Sequence, residues 1–179
     1  MWVEMKVKQL ALDSTSNLPV LILSDHQEKR SFPIWVGLAE ANAIAYELEK
    51  IPTQRPMTHD LIKSLLEALK AKVLRIVVND LRDNTFFAMI HLQLGSEEIT
   101  VDSRPSDAIA LALRVSAPIF VAEDVVQRAQ KVDAAAEGTV ESEAAPAKGE
   151  DEAKVKEWLE SIKPGDFMDR GKDPKRPDE

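Results

Sequence analysis

Apolar and polar residues alternate with a period of two near the N-terminus, which predicts a β-strand over residues 5–12. Two short apolar runs follow, at residues 19–23 and 31–36, and polar turn clusters separate the three runs. Pro33 lies inside the third run and indicates an edge strand or a bulge, because proline has no backbone N–H for a ladder. The short links favour an antiparallel meander.

Two helical patterns come next. Residues 37–49 place apolar side chains on one face of a helix. After a loop with two prolines, a second helix is predicted, with Thr58 as its N-cap and Asp60 in its first turn. Its apolar side chains recur at helical spacing and are expected to form a buried stripe. They are Leu61, Ile62, Leu65, Leu66 and Leu69.

The pattern then returns to strands, predicted over residues 73–78, 86–94 and 97–101. A helix over 104–115 is apolar nearly all round and is therefore expected to be central. A short strand and a short helix follow it. Three strands, two helices, three strands, a helix, a strand and a helix predict an α/β domain of the α+β type. Its sheet would be mixed and largely antiparallel, with helices packed against it.

The C-terminal quarter of the chain has a different composition. A single domain is predicted over residues 1–132, followed by an Ala/Glu/Pro-rich flexible linker at 133–150 and a short helix and polar tail at 151–179. The apolar stripe of the helix predicted at 152–162 is too short to be stable alone. It needs a surface on its own domain, on a neighbouring subunit or on another protein.

Charge and composition narrow the class of protein. No cysteine is present, which excludes disulfides and thiol nucleophiles. No run approaches the length of a membrane span, so a cytoplasmic protein without membrane contact is expected. Residues 1–132 hold 15 basic and 17 acidic residues, a net charge of −2, and residues 133–179 hold 8 and 14, a net charge of −6. This balance argues against tight nucleic-acid binding, unless a local patch forms from Arg75, Arg82, Arg104 and Arg114.

The most informative segment joins the strand at 97–101 to the helix at 104–115. A helix N-terminus favours anions, and Arg104 offers a planar fork for phosphate oxygens. Asp102 and Asp107 offer hard oxygen ligands for a divalent cation. A structural interpretation stays open, in which Ser103 or Ser106 caps the helix, Asp107 complements its dipole and Arg104 pairs with Asp102.

The chain has three histidines. His26 lies in a predicted turn and is expected to be exposed, and His91 lies within a strand and is expected to face solvent or a subunit. His59 follows Thr58 at a predicted helix N-terminus, where a neutral imidazole can act as a base or as a metal ligand. Glu40 is a further carboxylate that a solvated helix face explains equally well.

The junction resembles the hallmark of the bifunctional nuclease family, whose members are credited with cutting DNA and RNA. The resemblance covers about residues 2–130. The matching segments, in chain order, are LALD (10–13), NLPV (17–20), FPIWVG (32–37), RPMTHDL (55–61), DNTFFA (83–88), DSRPSDAIAL (102–111) and APIFV (117–121). The resemblance implies a compact α/β fold and a nuclease of low sequence specificity.

Residue chemistry then suggests the site. Asp102 and Asp107 are predicted to bind Mg²⁺ or Mn²⁺ and to act in catalysis, with His59 as general base or third ligand. Substrate binding is assigned to Arg104 with Ser103 and Ser106. DNA and RNA are the expected substrates, and self-association into a homo-oligomer is expected. The alternative is a non-catalytic, oligomeric binding or regulatory module whose junction binds an anion or a partner.

Overall fold

The order of secondary-structure elements is the one that the apolar pattern predicts. The structure is a computed structural model that describes residues 1–13 and 16–129. Residues 123–129 form a last helical segment. The elements before it are β1 (Trp2–Leu12), β2 (Pro19–Asp25), β3 (Ser31–Trp35), α1 (Leu38–Leu48), α2 (Thr58–Ala68), β4 (Ala71–Arg82), β5 (Thr85–Leu94), β6 (Glu97–Ser103), α3 (Pro105–Val115) and β7 (Ile119–Ala122). The linker predicted at 133–150 and the helix and tail predicted at 151–179 lie outside the described residues.

Seven strands form one sheet in the order β3-β2-β1-β7-β4-β5-β6. All neighbouring pairs are antiparallel except β4 and β7, which are parallel. The predicted mixed, largely antiparallel sheet is therefore confirmed. Pro33 lies on the edge strand β3, where its missing N–H costs no ladder bond.

The sheet curves around its core. The rings of Phe32 on β3 and Phe86 on β5 stack with centroids 5.8 Å apart, although four strands separate β3 from β5 in the sheet. Two bulges interrupt the pairing of β4 with β5, and bulges increase local twist. The β4–β5 turn has positive φ at Asp83 and Asn84, as a two-residue hairpin of type I′ requires.

Helix α3 is central, as its all-round apolar pattern predicts. It contacts α1, α2, β4 and β5, and eight of its residues are buried. Pro105 occupies the first turn as expected, but neither Ser103 nor Ser106 caps the helix. The N-cap is Arg104, whose backbone is extended and whose side chain makes no capping bond.

The prediction of a buried stripe on α2 is wrong. Four of its five members, Leu61, Ile62, Leu65 and Leu69, are exposed, and the fifth, Leu66, is half-buried. His59 is the buried residue of this helix. The predicted cap is also wrong, because Met57 precedes the helix as N-cap and the Asp60 carboxylate accepts the Met57 N–H at 2.9 Å. The side of α2 that carries His59 and Asp60 faces the domain, because the Arg114 side chain that binds Asp60 is buried there.

Candidate functional site

The site is built where β6 gives way to α3. Strand β6 ends at Ser103, whose hydroxyl donates to the Arg104 carbonyl at 2.8 Å. Arg104 keeps an extended backbone, so that α3 begins at Pro105 and places Asp107 in its first turn. The positive end of the helix dipole thus lies beside a carboxylate and a guanidinium.

Arg104 joins two helices. Its Nε donates to Asp107 Oδ2 at 2.7 Å, and its Nη2 lies 2.7 Å from Glu40 Oε1 in the first turn of α1. These contacts, with Asp107 making the larger contribution, raise the pKa of Arg104 above its ordinary value. The Arg104 side chain is 66% exposed, so its guanidinium remains accessible to a ligand.

His59 brings in the third helix. It lies in the first turn of α2, is buried, and has Nε2 3.3 Å from Asp107 Oδ1. Its Nδ1 is buried without a hydrogen-bond partner in the part of the chain that the structure describes. A buried polar atom without a partner lowers the stability of the fold by about 1–3 kcal/mol, so a contribution to function would explain why His59 is placed here.

Glu40, His59, Arg104 and Asp107 therefore form a four-residue cluster at the first turns of α1, α2 and α3. Three helix N-termini converge there, and their dipoles favour negative charge at the cluster. Glu40 and Asp107 supply such charge, and the exposed Arg104 leaves one cation at the surface. With two carboxylates around one guanidinium, the cluster is an ion-pair network whose one cation is already paired.

Glu40 is the member that sequence reasoning undervalued. A Cβ built on Gly37 would collide with the Glu40 carboxylate, so the glycine leaves the space in which this side chain folds back over the start of α1. The Gly37–Glu40 spacing was the available signal. It could not identify the partner, because Arg104 lies on a different helix.

The structure does not bring Asp102 to this cluster. Ser103 pairs with Ala88, which is fully buried, and Asp102 pairs with Met89. Because successive side chains of a strand leave opposite faces, the Asp102 side chain leaves the face opposite to that of Ser103. Asp102 is exposed, whereas Ser106 is buried in α3.

Carboxylates and imidazoles do not form a ready-made metal centre in the described residues. Within residues 1–13 and 16–129, no group of three or more His, Cys, Asp or Glu side chains is arranged to hold a metal ion. Glu40 and Asp107 share the Arg104 guanidinium, so they are the two carboxylates that the site brings near one another.

Arg114 is structural and does not contribute to a basic patch. Its side chain is buried, donates from Nε to Asp60 Oδ1 at 2.6 Å, and donates to the carbonyls of Ala110 and Ala43. Burial disfavours the Asp60 carboxylate, but the hydrogen bonds from Arg114 and Met57 outweigh it and lower the pKa of Asp60. The ion pair joins α2 to α3, and the hydrogen bond to the Ala43 carbonyl joins α3 to α1.

The other predicted patch residues and histidines are paired as well. Arg75 contacts Glu98 at 2.8 Å, and Glu98 also lies 2.8 Å from His91 Nδ1. Arg82 pairs with Asp80. His26 is exposed, as predicted. Arg75, Arg82, Arg104 and Arg114 thus each have a carboxylate partner and do not supply free positive charge.

Among the described residues, no helix has the length and apolar character needed to cross a membrane.

The fold and the cluster define a class: a mixed α/β domain with a polar cluster where three helices begin. Residues 21–134 match the family model of the bifunctional nuclease domain. The chain belongs to this bifunctional nuclease domain family, which the resemblance over residues 2–130 predicted.

Relatives agree with this assignment. An uncharacterized protein of Mycobacterium tuberculosis is 39% identical over 165 residues, which is 92% of this chain and 97% of that protein. The protein named bifunctional nuclease 1 of Oryza sativa subsp. japonica is 25% identical over 112 residues, and the protein named bifunctional nuclease of Oryza minuta gives the same values. Those matches cover 61% of this chain and 34% of each rice protein.

Proposed function

We propose that this protein is a nuclease that hydrolyses phosphodiester bonds of DNA and RNA with low sequence specificity, and that it acts at the four-residue cluster. Family membership supports the reaction class. The observation that supports this location of the active site is that buried His59 contacts Asp107, which also binds the exposed Arg104. An imidazole, a carboxylate and a guanidinium are the groups that acid–base chemistry on a phosphodiester uses.

Exposure suggests how the roles divide. Arg104 is the outermost group and would bind the phosphate oxygens through its planar fork. The Asp107 side chain is 33% exposed and that of His59 is 8% exposed, so a water at the surface reaches the carboxylate first. Asp107 would accept a proton from that water as the water oxygen bonds to phosphorus, and the oxygen that leaves phosphorus would take a proton from solvent. His59 would orient Asp107 and stabilise its charge. Ser103, which is half-buried, and Ser106, which is buried, lie on either side of Arg104 and Pro105 in the chain and would support the position of Arg104.

The proposal includes a divalent cation, Mg²⁺ or Mn²⁺. Asp107 and Glu40 would be its protein ligands, because Mg²⁺ is commonly held by one or two carboxylates together with water and substrate phosphate. Such an ion would offset negative charge on the phosphoryl oxygens. Asp102 would contribute only if the segment between β6 and α3 rearranged.

The test compares cleavage by the wild-type chain, Asp107→Asn and Asp102→Asn, prepared identically. Labelled single-stranded DNA, double-stranded DNA and RNA are incubated with Mg²⁺, Mn²⁺ or EDTA. We expect Asp107→Asn to lose at least about 100-fold in rate, as removal of an acid–base group does. Asp102→Asn makes the same chemical change on the other face of the sheet and is expected to retain activity.

Two outcomes would contradict the proposal. Equal cutting by the wild-type chain and Asp107→Asn would mean that the activity lies elsewhere or is a contaminant. Loss of cutting in Asp102→Asn alone would move the centre to the exposed face of β6. Cleavage that persists in EDTA would contradict the proposed divalent cation and would leave the proposed acid–base roles unchanged.

A binding or regulatory module is the second candidate. The observation that favours it is that Arg104 already satisfies Glu40 and Asp107, so the cluster is a closed ion-pair network. For this function we expect no cleavage by the wild-type chain, together with phosphate binding that Arg104→Gln weakens. Perturbed ion-pair clusters of this kind are often structural, which is why cleavage is measured first.

A further inference from the structure

Helix α2 presents a wide uncharged surface to solvent. Leu61, Leu65 and Leu69 follow one another every fourth residue and are 54%, 53% and 66% exposed, and Ile62 beside them is 37% exposed. Residues four apart lie on one face of a helix. The exposed face is thus a straight row of leucines.

Helix α2 turns polar side chains toward its own domain and leucine side chains toward solvent. Asp60 binds buried Arg114, and Lys63 and Glu67 line a cleft together with Arg114 and the β4 residue Val73. His59 and Asp60 therefore face the domain, half-buried Leu66 lines the same cleft, and the leucine row of residues 61, 65 and 69 faces outward. An amphipathic helix normally buries its apolar side, so the missing contact has to come from outside the described residues.

Further exposed apolar side chains lie on the outer strands, beginning with Leu94, which pairs with Ala71 directly after α2. Val73 on β4 pairs with Leu92 on β5, which pairs with Ile99 on the edge strand β6. A second row runs from fully buried Ile76 through Ile90 to Val101. Paired residues point to the same side of a sheet, so each row begins in the core and ends exposed at β6.

Seven large apolar side chains make up this surface, which we call the leucine face. They are Leu61, Ile62, Leu65, Leu69, Leu94, Ile99 and Val101. Their exposed fractions correspond to roughly 600 Å² of apolar surface, the upper end for the largest patch of a typical monomer. A standard-size protein–protein interface buries about 800 Å² per partner, and the apolar share of a homodimer interface is about 65%. The leucine face has the area that one side of such an interface needs.

We propose that the leucine face binds a second copy of this chain, with the two α2 helices packed antiparallel about a twofold axis near Leu65. The row is self-complementary in that arrangement, because Leu61 of each copy meets Leu69 of the other. None of the seven side chains carries charge. A nucleic acid or an anionic membrane surface would call for lysine and arginine at this position.

The contact uses the leucine face and not the edge of β6. Glu97, Glu98 and Asp102 lie along this edge strand. Pairing two copies antiparallel through β6 with Thr100 at the centre would place Glu98 opposite Asp102, and like charges directly opposite are destabilising. In that register the carboxylates oppose pairing through the edge of β6, whereas the leucine face carries no charge.

The first test measures the mass of the full-length chain by sedimentation velocity across a range of micromolar concentrations. We expect twice the chain mass of 19.9 kDa for the wild type. Leu65→Glu is expected to weaken association at least about 100-fold, because it buries a charge at the centre of the interface. Leu18→Glu makes the same change at a residue that is 39% exposed and outside the leucine face, and is expected to remain dimeric.

The second test uses the absence of cysteine. Leu65→Cys introduces the single thiol of the chain, so any disulfide formed with diamide must join two copies. We expect a covalent dimer from Leu65→Cys and none from Leu18→Cys. A monomeric wild type would overturn the proposal and mean that something else covers the leucine face. A dimer that Leu65→Glu leaves intact, with no cross-link at residue 65, would place the interface elsewhere. Circular dichroism checks that each variant is folded.

Discussion

Helices α2 and α3 have eleven residues each and apolar side chains at helical spacing, yet α3 is largely buried and α2 is largely exposed. Eight residues of α3 are buried, and in α2 His59 is the buried one. Both helices begin at the four-residue cluster and contact each other. Helical periodicity therefore identifies an apolar face that favours burial, but the elements that pack against the helix decide whether that face is buried in the domain.

The two helices differ in what they turn toward the domain. Ala108, Ala110 and Ala112 are buried in α3, and small side chains allow neighbouring elements to approach closely. Helix α2 turns Asp60 inward because Arg114, buried in α3, requires a charged partner. Once that pair forms, helix geometry turns the leucine row outward.

The largest effect expected from this comparison is on stability. Ile109→Ala in α3 removes a fully buried side chain and should lower the free energy of unfolding by about 4 kcal/mol. Leu65→Ala in α2 should change it by less than about 0.5 kcal/mol, because the side chain is already in water in the monomer. Urea denaturation at a protein concentration low enough to keep the chain monomeric measures both. Equal losses would show that α2 is buried in solution.

The ion pair between the two helices is next in size. Asp60→Asn leaves the buried Arg114 guanidinium without its counter-charge and should cost about 3 kcal/mol. Asp124→Asn is the control, because Asp124 is exposed and its pair with Arg128 should contribute less than about 0.5 kcal/mol. A small loss in Asp60→Asn would mean that the two carbonyls bound by Arg114 suffice.

The same pair predicts a pH dependence. The pKa of Asp60 is lower in the folded chain than its ordinary value of 3.8, so its contribution is fully present above pH 3.8 and is lost as pH falls through the folded value. The difference in unfolding free energy between the wild type and Asp60→Asn should therefore stay constant from neutral pH down to about pH 4 and shrink in stronger acid. A difference that grew on acidification would contradict the assignment.

The smallest effect concerns the helix ends. Lys70 follows α2 and Ser116 follows α3, and both adopt left-handed backbone angles, with φ of 57° and 54°. Glycine adopts this conformation without steric cost, so Lys70→Gly and Ser116→Gly should each raise the unfolding free energy by about 0.5 kcal/mol. Thermal denaturation measures both. Destabilisation at Ser116 alone would show that its side chain is needed beside β7.

Much of the fold could be predicted from the chain alone. The element order, the edge position of Pro33, the turn at Asp83 and the central place of α3 follow from local patterns. The orientation of α2 could not be predicted, because it depends on Arg114, which is 54 residues away from Asp60. The cap of α2 was missed for a related reason. Asp60 satisfies the Met57 N–H from inside the helix, so Thr58 is not needed.

The candidate site divides in the same way. His59, Arg104 and Asp107 could be selected for their chemistry and their helix starts, and the structure brings all three together. Asp102 had the same chemistry but lies on the opposite face from Ser103, because side chains alternate along a strand. Glu40 had an equally plain structural explanation until Arg104 supplied its partner.

The sequence by itself determined which segments become strands and helices, where α3 begins and which chemical groups stand at that junction, because these depend on residues that are close along the chain. The tertiary structure alone decided that three helix N-termini meet around Asp107 and that α2 turns its leucines outward. Both depend on contacts between residues some 50 positions apart, and hydrophobic periodicity does not specify which partners a face will meet.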